Sequence, residues 1–182
     1  MHQNLKAYKT PKNFRGRSAF TVQLWWIVQS MLFSTSPQIM FGWRRFLLRC
    51  FGAKIGKKVL IRPSVKTTYP WNLSIGDYSW IGDEVVLYSL GEIEIGEHTV
   101  ISQRSYICTA SHKYNVPEFL IYSEKVSVGA QCWLATDVYV APGLTIEDGV
   151  VVGARSTVLS DLKGNKVYVG SPVKCIKDRA IS

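Results

Sequence analysis

The sequence predicts an all-β protein, a parallel β-helix of short stacked strands that follows an N-terminal helical segment. Three observations support this prediction. Aliphatic residues recur at every sixth position through most of the chain from Ile55 to Val158, the next residue is often glycine, and a small or branched residue follows four positions after the aliphatic one. An amphipathic helix needs apolar spacings of about three and four residues, so the six-residue period is not helical.

Residues 1–50 are predicted to be a basic N-terminal extension with an apolar or amphipathic helix. Thirteen of the 22 Lys and Arg residues precede the first acidic residue, Asp77, and the net charge of the chain is +9. The apolar stretches "LWWIVQSMLF" (24–33) and "WRRFLLR" (43–49) are too short to span a bilayer, which takes about 20 residues. Two interpretations stay open: the helix caps the repeats, or its basic, aromatic surface contacts anionic lipid headgroups. No recognisable motif indicates binding to nucleic acid.

The repeat region is predicted to extend over residues 51–177. A six-residue period of strand-forming residues is typical of short strands joined by tight turns, three of which close one triangular coil. Stacked coils place the aliphatic residues in continuous inner columns, and the ends require caps. After Val158 the period ends in a turn, a last strand and a tail at 178–182. The aliphatic positions are Ile55, Ile61, Ile75, Ile81, Leu87, Ile93, Ile95, Ile101, Ile107, Val128, Leu134, Val140, Ile146, Val152 and Val158.

The stretch "ICTASHKYNVPEF" (107–119) interrupts this period. His112 closes the hexad that begins at Ile107, residues 113–125 are predicted to leave the coil as a loop, and the period resumes near Val126. Loops on rigid scaffolds often carry function, and a neutral imidazole is a good proton acceptor near pH 7. On spacing alone, a polar loop residue or a satisfied structural histidine is the other interpretation.

Composition excludes several other classes of protein. The first twenty residues are polar and basic and lack the apolar core of a signal peptide, so we expect a cytoplasmic location. The four cysteines form no CxxC pair and have no histidine at metal-ligand spacing, so we expect reduced thiols, no disulfide and no zinc. They are Cys50, Cys108, Cys132 and Cys175.

Several ordered stretches, among them "WRRFLLRCFGAKIG" (43–56), "YPWNLSIGD" (69–77), "ISQRSYICTASHKY" (101–114) and "VYVGSP" (167–172), resemble a known family. They are similar to the hexapeptide-repeat acyltransferases and, within that superfamily, to the colanic-acid biosynthesis acetyltransferases. The resemblance runs from about residue 13 to 177. It implies a left-handed β-helix, an exception to the right-handed crossover rule, and a homotrimer with cofactor and acceptor held between subunits.

The resemblance also implies an activity: O-acetyl transfer from acetyl-CoA to a sugar of an exopolysaccharide or its lipid-linked precursor, without a metal, and with His112 as general base. Three alternatives stay open. A nucleophilic Cys108 or Cys132 would form an acyl-enzyme, and of these Cys132 is expected to point inward and Cys108 to be more accessible. A zinc site of three histidines, as in relatives that hydrate carbon dioxide, would have only His98 and His112 available. A glycan-binding or scaffolding protein would keep the coils without turnover.

The remaining site residues also come from the resemblance. "CWLATDVYVAPG" (132–143) and "VGARSTV" (152–158) resemble segments that line the pantetheine arm of coenzyme A, and "SPVKCIK" (171–177) resembles a segment near its phosphates. Because Leu159-Ser160 replaces a frequent Thr-Lys, Lys163 or Lys166 is an alternative phosphate contact. Ordinary turn chemistry and solvated lysines explain these residues equally well, and capping or packing explains the acceptor residues. The expected cofactor contacts are Trp133, Ala135, Thr136, Gly153, Ala154, Lys174 and Lys177. The expected acceptor contacts are Asp83, Glu84, Tyr69, Trp71 and Asn72.

Overall fold

The structure is a computed structural model that describes residues 2–11 and 14–180, and its N-terminal part is helical. Helix α1 covers Ala19–Val28 and continues in a π-helical turn over Gln29–Phe33, and helix α2 covers Phe41–Cys50. Pro37 lies between them and lacks the amide hydrogen that would continue the first helix. Short 3-10 turns occur at Leu5–Ala7 and Pro70–Asn72. Residues 1, 12 and 13 of the predicted extension and residues 181 and 182 of the predicted tail lie outside the described residues.

The rest of the described chain consists mainly of short strands joined by tight turns. In chain order they are β1 Lys54–Ile55, β2 Leu60–Ile61, β3 Lys66–Thr67, β4 Leu73–Ile75, β5 Trp80–Ile81, β6 Val86–Tyr88, β7 Ile93–Ile95, β8 Val100–Ile101, β9 Tyr106–Cys108, β10 Ala110–His112, β11 Ile121–Ser123, β12 Val126–Val128, β13 Trp133–Leu134, β14 Tyr139–Val140, β15 Thr145–Ile146, β16 Val151–Val152, β17 Thr157–Val158, β18 Lys166–Gly170 and β19 Val173–Asp178.

Apart from β10 and β11, which pair with each other, these strands form three sheets, which are the three faces of a triangular prism. Face A has the order β1-β4-β7-β12-β15, face B the order β2-β5-β8-β13-β16-β18-β19, and face C the order β3-β6-β9-β14-β17. Successive coil strands belong to faces A, B and C in turn and pair in parallel with the coils before and after. The chain is therefore a left-handed parallel β-helix with an N-terminal helical segment, which confirms the predicted fold. The turns between faces define three edges, named AB, BC and CA.

The aliphatic positions of the repeat form the inner columns of the prism. On face A, for example, Ile55 pairs with Ile75, which pairs with Ile95. These residues and their counterparts on faces B and C are buried in one continuous cluster. Small polar residues at the turns are buried too, and their hydroxyls are satisfied: Ser79 Oγ donates to Gly96 O at 2.7 Å, and Thr99 Oγ1 donates to Gly129 O at 2.7 Å.

The two helices close the N-terminal end of the prism. Trp25 and Leu48 belong to the same buried cluster as the coils, and Trp25 Nε1 donates to Thr67 O at 2.8 Å. The fully buried Arg44 donates through Nε to Ile61 O at 2.6 Å, and its other nitrogens donate to Ser36 Oγ and to the carbonyls of residues 37 and 38. One side of the helices is therefore a cap, as one of the two interpretations predicts. None of the described helices has the length and apolar character needed to cross a membrane.

Insertions occur at the CA edge of three successive coils. Residues 68–72, 89–92 and 109–125 each follow a strand of face C and precede one of face A. They bury a second apolar cluster, the CA-edge cluster, against the N-terminal segment and α1; its buried members are Val22, Tyr69, Leu90 and Ala110. The third insertion differs from the prediction, because strands β10 and β11 pair as an antiparallel hairpin. His112 therefore stands on this hairpin, outside the coil, and does not complete a coil hexad.

Candidate active site

The imidazole of His112 has a defined hydrogen-bond partner. The residue ends β10 and is half-buried, and its Nδ1 lies 2.8 Å from the carbonyl oxygen of Phe119. A carbonyl oxygen only accepts hydrogen bonds, so Nδ1 is the donor and carries the proton of the neutral ring. The other nitrogen, Nε2, is then unprotonated and is free to accept a proton.

Phe119 fixes this ring in two ways. Its φ of +49° places it in the left-handed region, where non-glycine residues are uncommon, and this turn directs its carbonyl at His112. Its own ring stacks on the imidazole, with centroids 4.2 Å apart and planes 6° from parallel. The loop is closed by hydrogen bonds from Lys113 N to Leu120 O at 2.8 Å and from Phe119 N to Val116 O at 3.1 Å.

An open cleft of about 520 Å³ adjoins His112. It is lined by His112, Lys113, Tyr114, Asn115, Tyr122, Ser123 and Glu124. The N-terminal segment reaches the same loop, since Asn4 N donates to Pro117 O at 2.6 Å and the ring of Tyr8 lies 6.2 Å from that of His112. The histidine is thus enclosed by its own loop and by residues from the start of the chain.

Most residues expected to contact cofactor lie on a different edge of the prism. Ala135 and Thr136 follow β13, and Gly153 and Ala154 follow β16, so all four occupy the BC edge in successive coils. Trp133 precedes them on face B, and its Nε1 donates to Ser102 Oγ at 3.0 Å. Asp83 and Glu84 also lie on the BC edge. His112 leaves from the CA edge, so one chain does not bring these two groups of residues together.

Two backbone amides of the BC edge are available to a ligand. Ala135 N donates to Val152 O at 2.9 Å and Gly153 N to Tyr168 O at 2.8 Å, so these amides are already used by the coil. The next amides, of Thr136 and Ala154, donate no hydrogen bond to the part of the chain that the structure describes. A Cβ at Gly153 would lie 2.6 Å from Val169 Cγ1, so this glycine is explained by close packing of β18.

The chain is similar to known acetyltransferases in both sequence and fold. It is 58% identical over 177 residues to the putative colanic acid biosynthesis acetyltransferase WcaF of Escherichia coli (strain K12), and the match covers 97% of each chain. The chain belongs to the colanic acid biosynthesis acetyltransferase family. It is 25% identical over 138 residues to the galactoside O-acetyltransferase of the same organism, covering 74% of this chain and 68% of that protein. No protein-family model matches the chain.

Solved structures of this family's fold include two with high similarity. A maltose O-acetyltransferase from Clostridium difficile superposes with a TM-score of 0.83 at 24% identity, over 95% of this chain and 99% of that one. A galactoside acetyltransferase in complex with coenzyme A has a TM-score of 0.83 at 21% identity, over 97% of this chain and 89% of that one. At these identities the likeness shows a shared fold.

In this acetyltransferase, three of the five expected acceptor residues are packing residues of the CA edge. Tyr69 is buried and stacks on Trp71 with ring centroids 4.9 Å apart, and Trp71 Nε1 donates to Arg15 O at 2.9 Å. The side-chain amide of Asn72 donates to Ser89 O at 3.0 Å and to Leu90 O at 2.9 Å. The indole N–H of Trp71 and the amide nitrogen of Asn72 therefore already have partners within the chain. This placement agrees with the packing alternative.

The other two acceptor residues and the lysines are solvent-exposed. Asp83 Oδ1 accepts from Ser64 Oγ at 2.9 Å, and Glu84 has a φ of +57° at the turn. Lys174 and Lys177 lie on the exposed edge strand β19. Of the alternative phosphate contacts, Lys163 pairs with Glu147 at 2.7 Å and Lys166 with Asp178 at 2.6 Å. A phosphate would have to displace these carboxylates, which favours Lys174 and Lys177.

The cysteines and His98 of the acetyltransferase do not form a second reactive centre. Cys108 is only 7% exposed, contrary to its expected accessibility, because its thiol turns onto Ala110 O at 3.1 Å. Cys132 points inward as expected, and burial raises the pKa of its thiol, which disfavours the nucleophilic thiolate. His98 lies on the AB edge and stacks on Tyr78 with ring centroids 5.1 Å apart, so it cannot share a metal ion with His112.

Sequence reasoning missed Phe119 and Tyr8. Phe119 positions His112 through its carbonyl, and a phenylalanine in a loop gives no signal of a left-handed turn. Tyr8 reaches the site from a segment that is more than 100 residues away in sequence, and no periodic pattern marks it.

Proposed function

We propose that this acetyltransferase transfers the acetyl group of acetyl-CoA to a hydroxyl of a sugar in exopolysaccharide synthesis, with His112 as general base. The single observation that supports this role is the bond from His112 Nδ1 to Phe119 O, which leaves Nε2 unprotonated. Nε2 takes the hydroxyl proton while the oxygen attacks the thioester carbonyl carbon. The carbon–sulfur bond then breaks, and the proton passes to the departing thiolate of coenzyme A.

The BC edge is the proposed site of acetyl-CoA. The amides of Thr136 and Ala154 stand one coil apart and can donate to the two amide carbonyls of the pantetheine arm. Trp133 is exposed beside them, Ala135 and Gly153 belong to the same two turns, and the exposed Lys174 and Lys177 would neutralise phosphates. A similar fold with bound coenzyme A supports this proposal.

A homotrimer with each active site between two subunits is the assembly we propose. His112 on the CA edge and the cofactor residues on the BC edge meet only if two chains each contribute one edge. The outward side chains of the faces support burial of face B, because Leu60, Trp80, Val100, Trp133, Val151 and Val167 form an apolar column there. Face A instead carries the polar residues Lys54, Ser74, Glu94, Ser127 and Thr145, and suits solvent.

A lipid-linked acceptor at the cytoplasmic side of the membrane fits the N-terminal helices. Phe20, Leu24, Ile27 and Met31 follow one another at spacings of four, three and four residues and are exposed on one side of α1 and its π-helical turn. No acidic residue occurs before Asp77, so charge does not oppose contact with anionic lipid. We propose that this side touches the membrane surface.

Sedimentation with lipid vesicles tests the membrane contact. We expect the full chain to bind vesicles that contain phosphatidylglycerol more strongly than vesicles of phosphatidylcholine alone. The double variant, Ile27→Gln with Met31→Gln, should lose that binding. Leu159→Gln is the matched control, because Leu159 is 56% exposed, like Ile27 at 55%, but lies outside the helices. Unchanged binding by the double variant would exclude this side of α1 as the contact.

Two measurements test the activity. A thiol reagent detects the coenzyme A that is released, and mass spectrometry detects the acetyl group added to the acceptor. The acceptor is an O-deacetylated colanic acid oligosaccharide, because relatives are named for colanic acid synthesis. We expect His112→Ala to lower kcat by about 10²- to 10⁴-fold, as for loss of a general base, and to leave the KM for acetyl-CoA unchanged. His98→Ala is the control and should act like wild type. Equal rates for wild type and His112→Ala would reject the base, and glycan binding without any turnover would favour the non-catalytic alternative.

A further inference from the structure

Four tyrosines lie in a row that begins beside His112: Tyr8 belongs to the N-terminal segment, and Tyr88, Tyr106 and Tyr139 belong to strands of face C. The ring of Tyr8 lies 6.2 Å from that of His112, and its hydroxyl is close enough to Tyr88 to influence that group electrostatically. The rings of Tyr88 and Tyr106 have centroids 6.0 Å apart, and Tyr106 and Tyr139 are also separated by 6.0 Å. We call Tyr8, Tyr88, Tyr106 and Tyr139 the tyrosine row. Its first member, Tyr8, lies beside His112, the proposed base.

The row has unused hydrogen-bonding capacity. The hydroxyls of Tyr88 and Tyr106 form no hydrogen bond to the described residues, and Tyr139 is partly exposed next to the thiol of Cys108. Burial raises the pKa of Tyr88, and it raises the pKa of both Tyr106 and Tyr139 to about 12. The phenols are therefore neutral at pH 7, where each can both donate and accept a hydrogen bond.

This combination suits a sugar chain. A pyranose ring has apolar C–H faces and equatorial hydroxyls, and tyrosine offers an apolar ring with a polar tip. Tyr88, Tyr106 and Tyr139 come from three successive coils, β6, β9 and β14. Neighbouring coils are about 4.8 Å apart, so the row is longer than one sugar ring. Because these three tyrosines follow one another from coil to coil along the prism, a linked glycan could extend over them beyond the sugar that reacts.

We propose that the tyrosine row binds the sugars next to the acetylated one, so that the preferred acceptor is an oligosaccharide and not a free monosaccharide. Tyr8 and Tyr88 would contact the reacting sugar and its neighbour, and Tyr106 and Tyr139 the sugars further along. This inference rests on the proposed acetyl transfer at His112. It adds a binding surface for a class of acceptor, a glycan of two or more linked sugars.

The test compares two acceptors on the full-length protein. They are an O-deacetylated colanic acid oligosaccharide of one repeat and the mixture of its free monosaccharides. We expect wild type to have a higher kcat/KM for the oligosaccharide. Tyr139→Ala should lower that value by about tenfold, since aromatic contacts of this kind contribute up to about 1.5 kcal/mol, and should leave the monosaccharide rate and the KM for acetyl-CoA unchanged. Tyr139→Phe, which keeps the ring, should lose less, and Tyr8→Ala should impair both acceptors.

Tyr78→Ala is the matched control, since Tyr78 is also an exposed tyrosine but lies on the AB edge beside His98. Wild type that acetylates neither acceptor would refute the proposed function itself. If Tyr139→Ala and Tyr106→Ala reduce transfer to both acceptors by the same factor, only this inference is overturned, and the proposed function stands. A change of oligomeric state in those variants, without a loss that depends on acceptor length, would also overturn it and would assign face C to contact between copies of the chain.

Discussion

At the scale of single residues, the site depends on which nitrogen of His112 holds the proton. A carbonyl at 2.8 Å decides this, and it comes from Phe119, seven residues later, in a left-handed turn. The same residue covers one side of the ring, so tautomer and orientation are fixed together. If His112 is the base, as we propose, it needs no charged partner to fix its tautomer, because the carbonyl of Phe119 does so without adding a negative charge.

A second feature at this scale is the high pKa of Tyr106 and Tyr139, about 12 for each, which follows chiefly from burial of the phenols. The ordinary value is about 10, so the folded state resists loss of these protons. Their contribution to stability is fully present below about pH 10 and is lost as the pH rises from about 10 to 12. We expect the free energy of unfolding to fall over this range.

Tyrosinate absorbance and urea unfolding at rising pH measure both effects. The variant Tyr106→Phe with Tyr139→Phe should lack the late titration and lose less stability at high pH. If the tyrosines that wild type has in addition titrate near pH 10, like ordinary tyrosines, the prediction of a raised pKa for Tyr106 and Tyr139 is wrong.

At the scale of elements, the six-residue period predicted the coils because it follows from stacking. Each aliphatic residue is followed by a tight turn. At the first residue of that turn, the backbone of the next coil comes close. At Gly76 a Cβ would lie 2.5 Å from Glu97 N and 2.7 Å from the carbonyl carbon of Gly96, so this position is restricted to glycine by its neighbours in the next coil. The six-residue period is a direct consequence of coil stacking. The sequence alone was therefore sufficient to predict the coils.

Substitution of glycine tests that constraint. Gly76→Ala should destabilise the fold by about 1–3 kcal/mol, because the backbone of the next coil has to shift. Gly42→Ala is the matched control: it lies on the exposed surface of α2, and the nearest atom to a Cβ there is Arg45 Nη2 at 3.8 Å. That variant should be neutral or up to about 1 kcal/mol more stable, since alanine favours the helix. Urea unfolding of both variants gives the comparison, and equal effects would contradict the stacking argument.

The insertions at the CA edge were beyond such reasoning. The sequence shows a two-residue slip near Ile93 and a loss of period after Ile107. It does not show that the insertions responsible, 89–92 and 109–125, fall on the same edge as residues 68–72. The β10–β11 hairpin forms because its Ala110 and Ile121 pack with Tyr69, Leu90 and the N-terminal segment. These contacts join parts of the chain that are distant in sequence, so no local pattern encodes them.

At the scale of the whole molecule, the residues of the proposed site lie on two different edges of one prism. The resemblance assigned His112 and the residues near Trp133 to one site, and only the order of the faces shows that they lie on different edges of one chain. Spacing along a repeat gives the position of a residue within a coil. It does not give the position of one chain relative to another, because the outward side chains that decide assembly are not periodic.

Complementation between two inactive variants tests this division. His112→Ala removes the proposed base on the CA edge, and Ala154→Trp obstructs the proposed cofactor crevice on the BC edge, where Ala154 is exposed and tolerates size. Each variant alone should form normal oligomers without activity. If every site uses His112 of one chain and the BC edge of another, equal mixing by co-expression leaves about a quarter of the sites with both intact surfaces, and about a quarter of wild-type activity returns. If both surfaces came from one chain, no mixed oligomer would contain an intact site, so a mixture that stays as inactive as its components would reject the shared site.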